Sequence, residues 1–522
     1  LSASNTYTGT TQVSAGTLTV SGSGRLSDST AVTVDSGATY NVAVSDTVAS
    51  IAGAGNITLG SNTLTSGGSD ASTTFSGVIS GTNGNIVKAG TGTLTLQGNN
   101  SYTGSTTISN TNGLLKIERD APLAYLGSTS GFTGPGSLHV LPISDDFSEA
   151  VSTADITLSG TFLNQLVVGK TSGSSTFFID SDIRTAGSQT YNAPTIVRNG
   201  NWELQTTNSP IIFEDILNSD GTPRNLSINT GSANLTLSGA VGGSNPLNDL
   251  TITTNVLTAG NIKVNNELFV TNSGTSTISG DISNGASIAS FIKAGSGLLN
   301  LTGLSTYTGS TTISAGTLKI INDDPTSYLA ATSGFTGPGN LTIESSGDDF
   351  TADIVTGTHV QLAGTALGDL IIGKSGNTRQ IDLSSNITTT NIQTYNGPVR
   401  LVGGDRTVST TNSNVVFAST VNSDGTARAL TVTNGTGDTT FSGAIGGSAP
   451  VSALTITSDQ LTAGAITLNG ALTATLGGSS TISGVIANGG SAANLVKAGS
   501  GTLTLSASNT YTGTTQVSAG TL

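Results

Sequence analysis

The chain has 522 residues, of which 9% are charged and 35% apolar, against roughly 25% and 45–50% in ordinary globular domains. It contains no Cys, which removes disulfide scaffolds, thiolate metal sites and cysteine nucleophiles together. Seventeen Lys and Arg against 31 Asp and Glu leave a net charge of -14, with no basic stripe for nucleic acid and no apolar run near the roughly 18 residues of a membrane span. Residues 1–18 read LSASNTYTGTTQVSAGTL, hydroxyl and apolar residues alternating between Asn and Gly turns. The same style runs to residue 95 as a short module, with strands of about 4–6 residues and a closing Lys88-Ala-Gly-Thr-Gly92 segment. A long module occupies 96–300 and opens on LQGNNSYTGSTTISNTNGLL from Leu96. A second copy occupies 301–504 and opens on LTGLSTYTGSTTISAGTL from Leu301. SGFTGPG at Ser130 returns at Ser333, QTYN at Gln189 returns at Gln393, and NSDGT at Asn218 returns at Asn422. Residues 505–522 then repeat 1–18 at all 18 positions, a period of 504.

Alternations such as Leu94-Thr95-Leu96, Leu341-Thr342-Ile343 and Leu454-Thr455-Ile456 place apolar side chains on one face and hydroxyls on the other. Helical periodicity is confined to single turns after Asp120 and Asp324, where an Asp cap precedes Pro122 and Pro325 in corner loops. Short strands suit a sandwich, a propeller or a solenoid. The open-ended repetition selects the solenoid, because the other two are closed objects. With no Met, residue 1 is expected to be internal to a longer tandem array, and no leader peptide is expected in this segment. Rungs of roughly 20–25 residues stacked at about 4.8 Å predict a parallel β-helix of about 21–25 rungs per period. A rung burying five or six aliphatic side chains gains roughly 1.5–3 kcal/mol from each, less than the ordering of its backbone costs at about 1–2 kcal/mol per residue. Rungs must therefore fold on one another.

The boxes, with their Lys-Ala-Gly-x-Gly leads at Lys88, Lys293 and Lys497, resemble the autotransporter-associated β-strand repeat, or passenger-associated transport repeat. The filler with QTYNGPV, FSGAIGG and LTIT resembles giant bacterial surface proteins related to filamentous haemagglutinins. The resemblance implies a right-handed parallel β-helix, secretion across a Gram-negative outer membrane, and a role in adhesion or surface architecture.

The residues that carry chemistry are few. His139 and His359 stand alone and read as solvated rung positions; with no Cys, no zinc site is expected. Asp145-Asp146 and Asp348-Asp349 occupy equivalent places before a Phe and are weak calcium candidates, or the acid–base pair of a β-helix polysaccharide-cleaving enzyme; neighbours on a strand point to opposite faces, so turn carboxylates are the preferred reading. Asp220-Gly221 and Asp424-Gly425 read as turns. Gly368 to Ser375 spells a phosphate loop, but Asp-Leu-Ile-Ile reads as strand and the sister copy has Asn164 in place of the first Gly. The box tyrosines Tyr7, Tyr102, Tyr307 and Tyr511 are expected to pack over corners of their own rungs, with an adhesive role as the alternative. Lys88, Lys293 and Lys497 are expected at exposed corners, with an isopeptide link as the alternative. Trp202 has no counterpart in the second copy.

The expected protein is a non-enzymatic extracellular fibre or stalk without cofactors, stacking end to end on itself at a bacterial surface. The alternatives are an adhesin passenger that binds a surface glycan and, more remotely, a polysaccharide lyase or hydrolase. No nucleic acid and no membrane insertion by this segment are expected.

Overall fold

The computed structural model describes residues 1–158, 162–171, 173–362 and 366–522. Among them the chain is a succession of short strands, with two brief helices, Leu123–Leu126 and Thr326–Ala331. Two compact units, Leu1–Val264 and Asn265–Leu522, divide it.

In the first unit twelve described strands, from Thr11–Val13 to Leu257–Ala259, build one parallel sheet. Each strand belongs to a different turn of chain. Leu94 lies beside Leu115, Leu115 beside Leu138, Leu138 beside Leu166, and Leu166 beside Gln189. The second unit repeats the plan with eleven described strands, from Ser276–Ile278 to Thr502–Leu505, and Leu299, Leu318, Leu341 and Leu370 in line. Shorter parallel sheets form the other faces of each coil, such as the run Asp46–Val48, Thr63–Ser66, Asn85–Lys88, Thr106–Ile108 and Phe132–Thr133. Each unit is thus an all-β solenoid of parallel coils, and the twelve and eleven described strands agree with the expected parallel β-helix of about 21–25 rungs.

Coil length is uneven. Val32 completes its circuit at Ile51, whereas Leu138 completes a distinctly longer one at Leu166. The long coils hold the Asp-Asp-Phe segments, whose extra residues leave the ladder as loops. Phe147 and Phe350 are buried beneath them.

Strand periodicity explains the interior. In Leu114–Glu118 every second side chain points inward, so Leu115 and Ile117 are fully buried while Lys116 and Glu118 pair outside at 2.7 Å. Stacking of like on like is clearest in the aromatic column Tyr395, Phe417, Phe441. The rings of Phe417 and Phe441 lie parallel within 1° at 4.8 Å, the spacing of adjacent strands.

The two helices correct an expectation. Leu123–Leu126 starts at Pro122 without a side-chain cap. Asp120 does not cap it, because its carboxylate accepts the Ser144 N–H at 2.8 Å and the Ser144 hydroxyl at 2.9 Å from the next coil. The Leu123 N–H instead donates to Glu149 at 2.5 Å. In the second helix Asp324 does accept the Thr326 N–H, at 3.2 Å.

Candidate functional site

The features that recur at the boxes are two clasps between successive coils. The first is built on the box lysine. In Asn85–Lys88, Ser290–Ala294 and Asn494–Ala498 the lysine shares its parity with Ile86, Phe291 and Leu495 and therefore points inward. Lys88 is 1% exposed and Lys293 and Lys497 are 0% exposed. This overturns the expectation of an exposed corner: alternation along the strand outweighs the usual preference of lysine for water. A buried ammonium must be hydrogen-bonded, and here backbone carbonyls do it. Lys293 Nζ donates to Ala294 at 2.8 Å, Gly295 at 2.9 Å and, from the next coil, Ala315 at 3.2 Å. Lys497 repeats the set on Ala498, Gly499 and Ala519 at 2.6, 2.9 and 3.3 Å. Lys88 donates to Ala89 and, at 2.9 Å, to Gly90. Burial pulls the Lys293 ammonium down to about 8 and lowers Lys497 too. It also lowers Lys88, against the pull of Asp70. These contacts are to backbone oxygens, which offer no carbonyl carbon activated for an isopeptide bond.

The two glycines of the lead shape this cage. Gly295 has φ +75°, which turns its carbonyl toward the ammonium, and a Cβ on Gly297 would stand 2.3 Å from the Gly274 oxygen of the coil below.

The second clasp is built on the box tyrosine. Tyr102 and Tyr307 are fully buried. Their hydroxyls bond the box threonines Thr106 and Thr311 at 2.6 Å, and Tyr125 and Tyr328 at 2.5 and 2.7 Å. Tyr125 and Tyr328 come from the following coil, carried inward by the short helices, and each pair of rings packs tilted at 5.5 and 5.6 Å. Burial raises Tyr102 and Tyr307 well above the usual phenol range, and Tyr125 and Tyr328 to about 12. A buried hydroxyl from the next coil also donates to the box glycine carbonyl: Thr30 to Gly9 at 2.6 Å, Thr129 to Gly104 at 2.7 Å and Thr332 to Gly309 at 2.8 Å. Tyr7 and Tyr511 lie in the first and last coils. They keep the bond to Thr11 at 2.5 Å and Thr515 at 2.6 Å, yet Tyr7 is 40% exposed and Tyr511 half-buried. The tyrosine–threonine bond is local to the box; burial comes from the neighbouring coils, so the interior rings bridge rungs instead of covering their own.

The remaining candidates do not converge. Asp146 accepts the Ser175 N–H at 2.7 Å and the Ser174 hydroxyl at 2.8 Å, and Asp349 accepts the Thr378 N–H and hydroxyl at 2.5 Å each. Both carboxylates are held below the usual range by these bonds across coils. Asp145 and Asp348 are exposed. Among the described residues no three His, Cys, Asp or Glu gather as a metal would require. The histidines are half-buried rather than solvated: His139 Nε2 meets Gln165 at 2.9 Å, and His359 Nδ1 accepts the Val355 N–H at 3.1 Å. Burial lowers both. Within the phosphate-loop spelling, Leu370–Ile372 is a strand.

Two features are not evident from residue types. Gln189 and Gln393 are buried and support Tyr191 and Tyr395 at 2.9 and 2.8 Å, the reason QTYN recurs. Trp202 does have a structural counterpart: its Nε1 donates to the Arg198 carbonyl at 2.8 Å, and Arg406 donates to the equivalent carbonyl of Val402.

The Passenger-associated-transport-repeat family matches residues 1–20, 86–113, 291–320 and 495–522, which are the boxes and clasps just described. Those four segments are similar to passenger-associated transport repeats. The Adhesin BmaC autotransporter of Brucella suis biovar 1 (strain 1330) is 30% identical to this repeat protein over 306 residues, covering 52% of this chain. The chain spans about 8% of the length of that relative. No solved structure matches. No helix of the described residues is long and apolar enough to cross a membrane.

Proposed function

We propose that this repeat protein is the shaft of a bacterial surface adhesin, exported as a passenger and acting mechanically, without catalysis. The observation that carries the reading is the position of the transport repeats at the intercoil clasps. A passenger that crosses the outer membrane unfolded must fold on the far side as it emerges. In a box such as that of Lys293 and Tyr307, the ammonium and the phenol gain partners from the next coil, which makes each coil the template for its successor, because buried polar groups left unpaired cost roughly 1–3 kcal/mol apiece. The relative's description as an autotransporter adhesin supports the same assignment, and the acidic, thiol-free composition suits the cell exterior.

The identity of 1–18 and 505–522 supports a tandem array in which one period stacks on the next. Two consecutive periods expressed as one polypeptide should image as a particle of unchanged width and doubled length; two beads on a slack tether would refute the stacking. Protease added to intact producing cells should remove the protein, and complete protection would refute surface exposure.

A further inference from the structure

We propose that the first unit carries a lateral binding site for a neutral oligosaccharide, in a groove centred on Phe162 and Arg184. The groove has a volume of about 440 Å³ where Thr153, Ile156, Phe162, Asp182 and Arg184 line it. It continues into a second hollow of about 230 Å³ shared by Phe162, Arg184 and Gln205. It crosses three successive coils, a span of about 10 Å, which admits a short oligosaccharide lengthwise.

Its chemistry is that of a sugar platform. Phe162 is 50% exposed, an uncommon position for a large aromatic side chain, and offers a flat apolar surface to the C–H face of a pyranose. Around it stand groups that bond vicinal hydroxyls in pairs. Arg184 donates to Glu203 at 2.8 Å, and the Glu203 N–H donates to Asp182 at 2.8 Å. The Arg184 charge is already matched by Glu203, with Asp182 in excess, so an acidic sugar is disfavoured.

The internal repeat shows that this equipment is not demanded by the fold. At a displacement of 204 the five positions Phe162, Asp182, Arg184, Glu203 and Gln205 become Ala366, Asn386, Thr388, Thr407 and Ser409. The inward positions between them stay alike: Ile183 and Ile387, Thr185 and Thr389, Leu204 and Val408, Thr206 and Thr410. Where the first copy has Arg184 beside Gln205, the second has Thr388 bonded to Ser409 at 2.8 Å. The second copy keeps the turn bond of Asp182 through Asn386, which accepts the Thr407 N–H at 2.9 Å, and builds the same strands with a plain hydroxyl ladder, so the fold does not require the Phe162 ring or the Arg184–Glu203 pair.

The site rests on the adhesin reading for its biological sense, yet its test needs only the purified chain. Neutral and acidic oligosaccharides are screened on an array and the hits titrated calorimetrically against the full chain. One saturable site for a neutral oligosaccharide is expected. F162A should weaken it at least tenfold, and the combined change F162A/D182N/R184T/E203T/Q205S should abolish it with the circular dichroism unchanged, since every introduced residue already stands at the equivalent position of the sister copy. The reverse graft A366F/N386D/T388R/T407E/S409Q should raise the stoichiometry from one to two. Absence of saturable binding, preference for acidic sugars, or binding that survives the five-residue change would overturn the site. Loss of sugar binding in a protein that is still surface-exposed overturns this inference alone, and an intracellular protein that binds sugar overturns the surface assignment alone.

Discussion

Among single residues the controlling feature is a lysine charge enclosed by carbonyl oxygens. Replacing Lys293 with Met leaves the Ala294, Gly295 and Ala315 carbonyls without their donor, while removing an ammonium that burial disfavours. The orphaned acceptors, at about 1–3 kcal/mol each, outweigh the relief, and Lys293→Met should lower the unfolding free energy at pH 7 by roughly 1–3 kcal/mol. The pH dependence is specific. Lys293 is near 8 in the folded chain and 10.5 as a free side chain, so between those values the unfolded state binds the extra proton and stability rises with pH. The Met variant lacks this rise, and the gap between the two proteins should widen from pH 8 toward 10.5 in denaturant titrations. The buried phenols act in the opposite sense: with Tyr125 and Tyr328 near 12 and unfolded tyrosine near 10, stability falls above about pH 10. The tyrosine clasp is tested by position. Tyr307→Phe, which deprives both Thr311 and Tyr328 of a partner, should cost about 1–2 kcal/mol. Tyr511→Phe, at a half-buried ring of the last coil, should stay within about 0.5 kcal/mol. Equal losses at the two sites would argue against the intercoil role.

Among the elements, backbone proximity between coils decides which turns tolerate change. Gly297 and Gly221 both lie in turns, but only Gly297 faces another coil. A Cβ at 297 meets the Gly274 carbonyl at 2.3 Å, whereas at 221, with φ +91°, nothing lies within 4 Å. Gly221→Ala should therefore cost only the left-handed strain of about 1–2 kcal/mol. Gly297→Ala must push two coils apart and should cost more, with amide exchange accelerated in Leu298–Leu301 and in the strand Ser276–Ile278 beside it. The short helices are elements of the same logic. Each is too brief to stand alone, and each is held by what it delivers: Tyr125 or Tyr328 into the interior, against the box tyrosine of the coil before.

Across the whole molecule, a solenoid is additive along its axis in a way that a closed fold is not. Val415 pairs with Thr439 and Thr439 with Leu461, while Leu430 pairs with Leu454 and Leu454 with Leu472. Removing residues 439–460 excises one coil and brings Leu461 over Val415 and Leu472 over Leu430. The shortened protein should keep its β signal and melt within a few degrees of the parent. Removing half as many residues puts inward side chains on the outer face and should abolish cooperative melting in the second unit. Comparable melting of the two deletions would contradict independent coils.

Spelling alone establishes the repeat, and the repeat establishes the fold class. Four boxes, two long copies and period-two alternation favour stacked parallel coils over closed architectures because the repetition is open-ended, and each coil buries too little to fold alone. The boxes also point to the transport-repeat family without any coordinates. The direction of the box lysine is legible in principle, since Lys88 shares the parity of Ile86; the preference of lysine for water points the other way, and the strand overrules it. Other features become visible only once the chain is coiled. Tyr125 meets Tyr102, and Phe162, Arg184 and Gln205 share one groove, although none of these side chains are neighbours along the chain. Parallel stacking brings such positions to adjacent coils, yet the circuit from Leu138 to Leu166 is longer than that from Val32 to Ile51, so no fixed spacing forecasts which side chains meet. Hydrophobic periodicity sets what faces inward within a coil. Only the register between coils, decided by the size of each outlying loop, determines who stands beside whom.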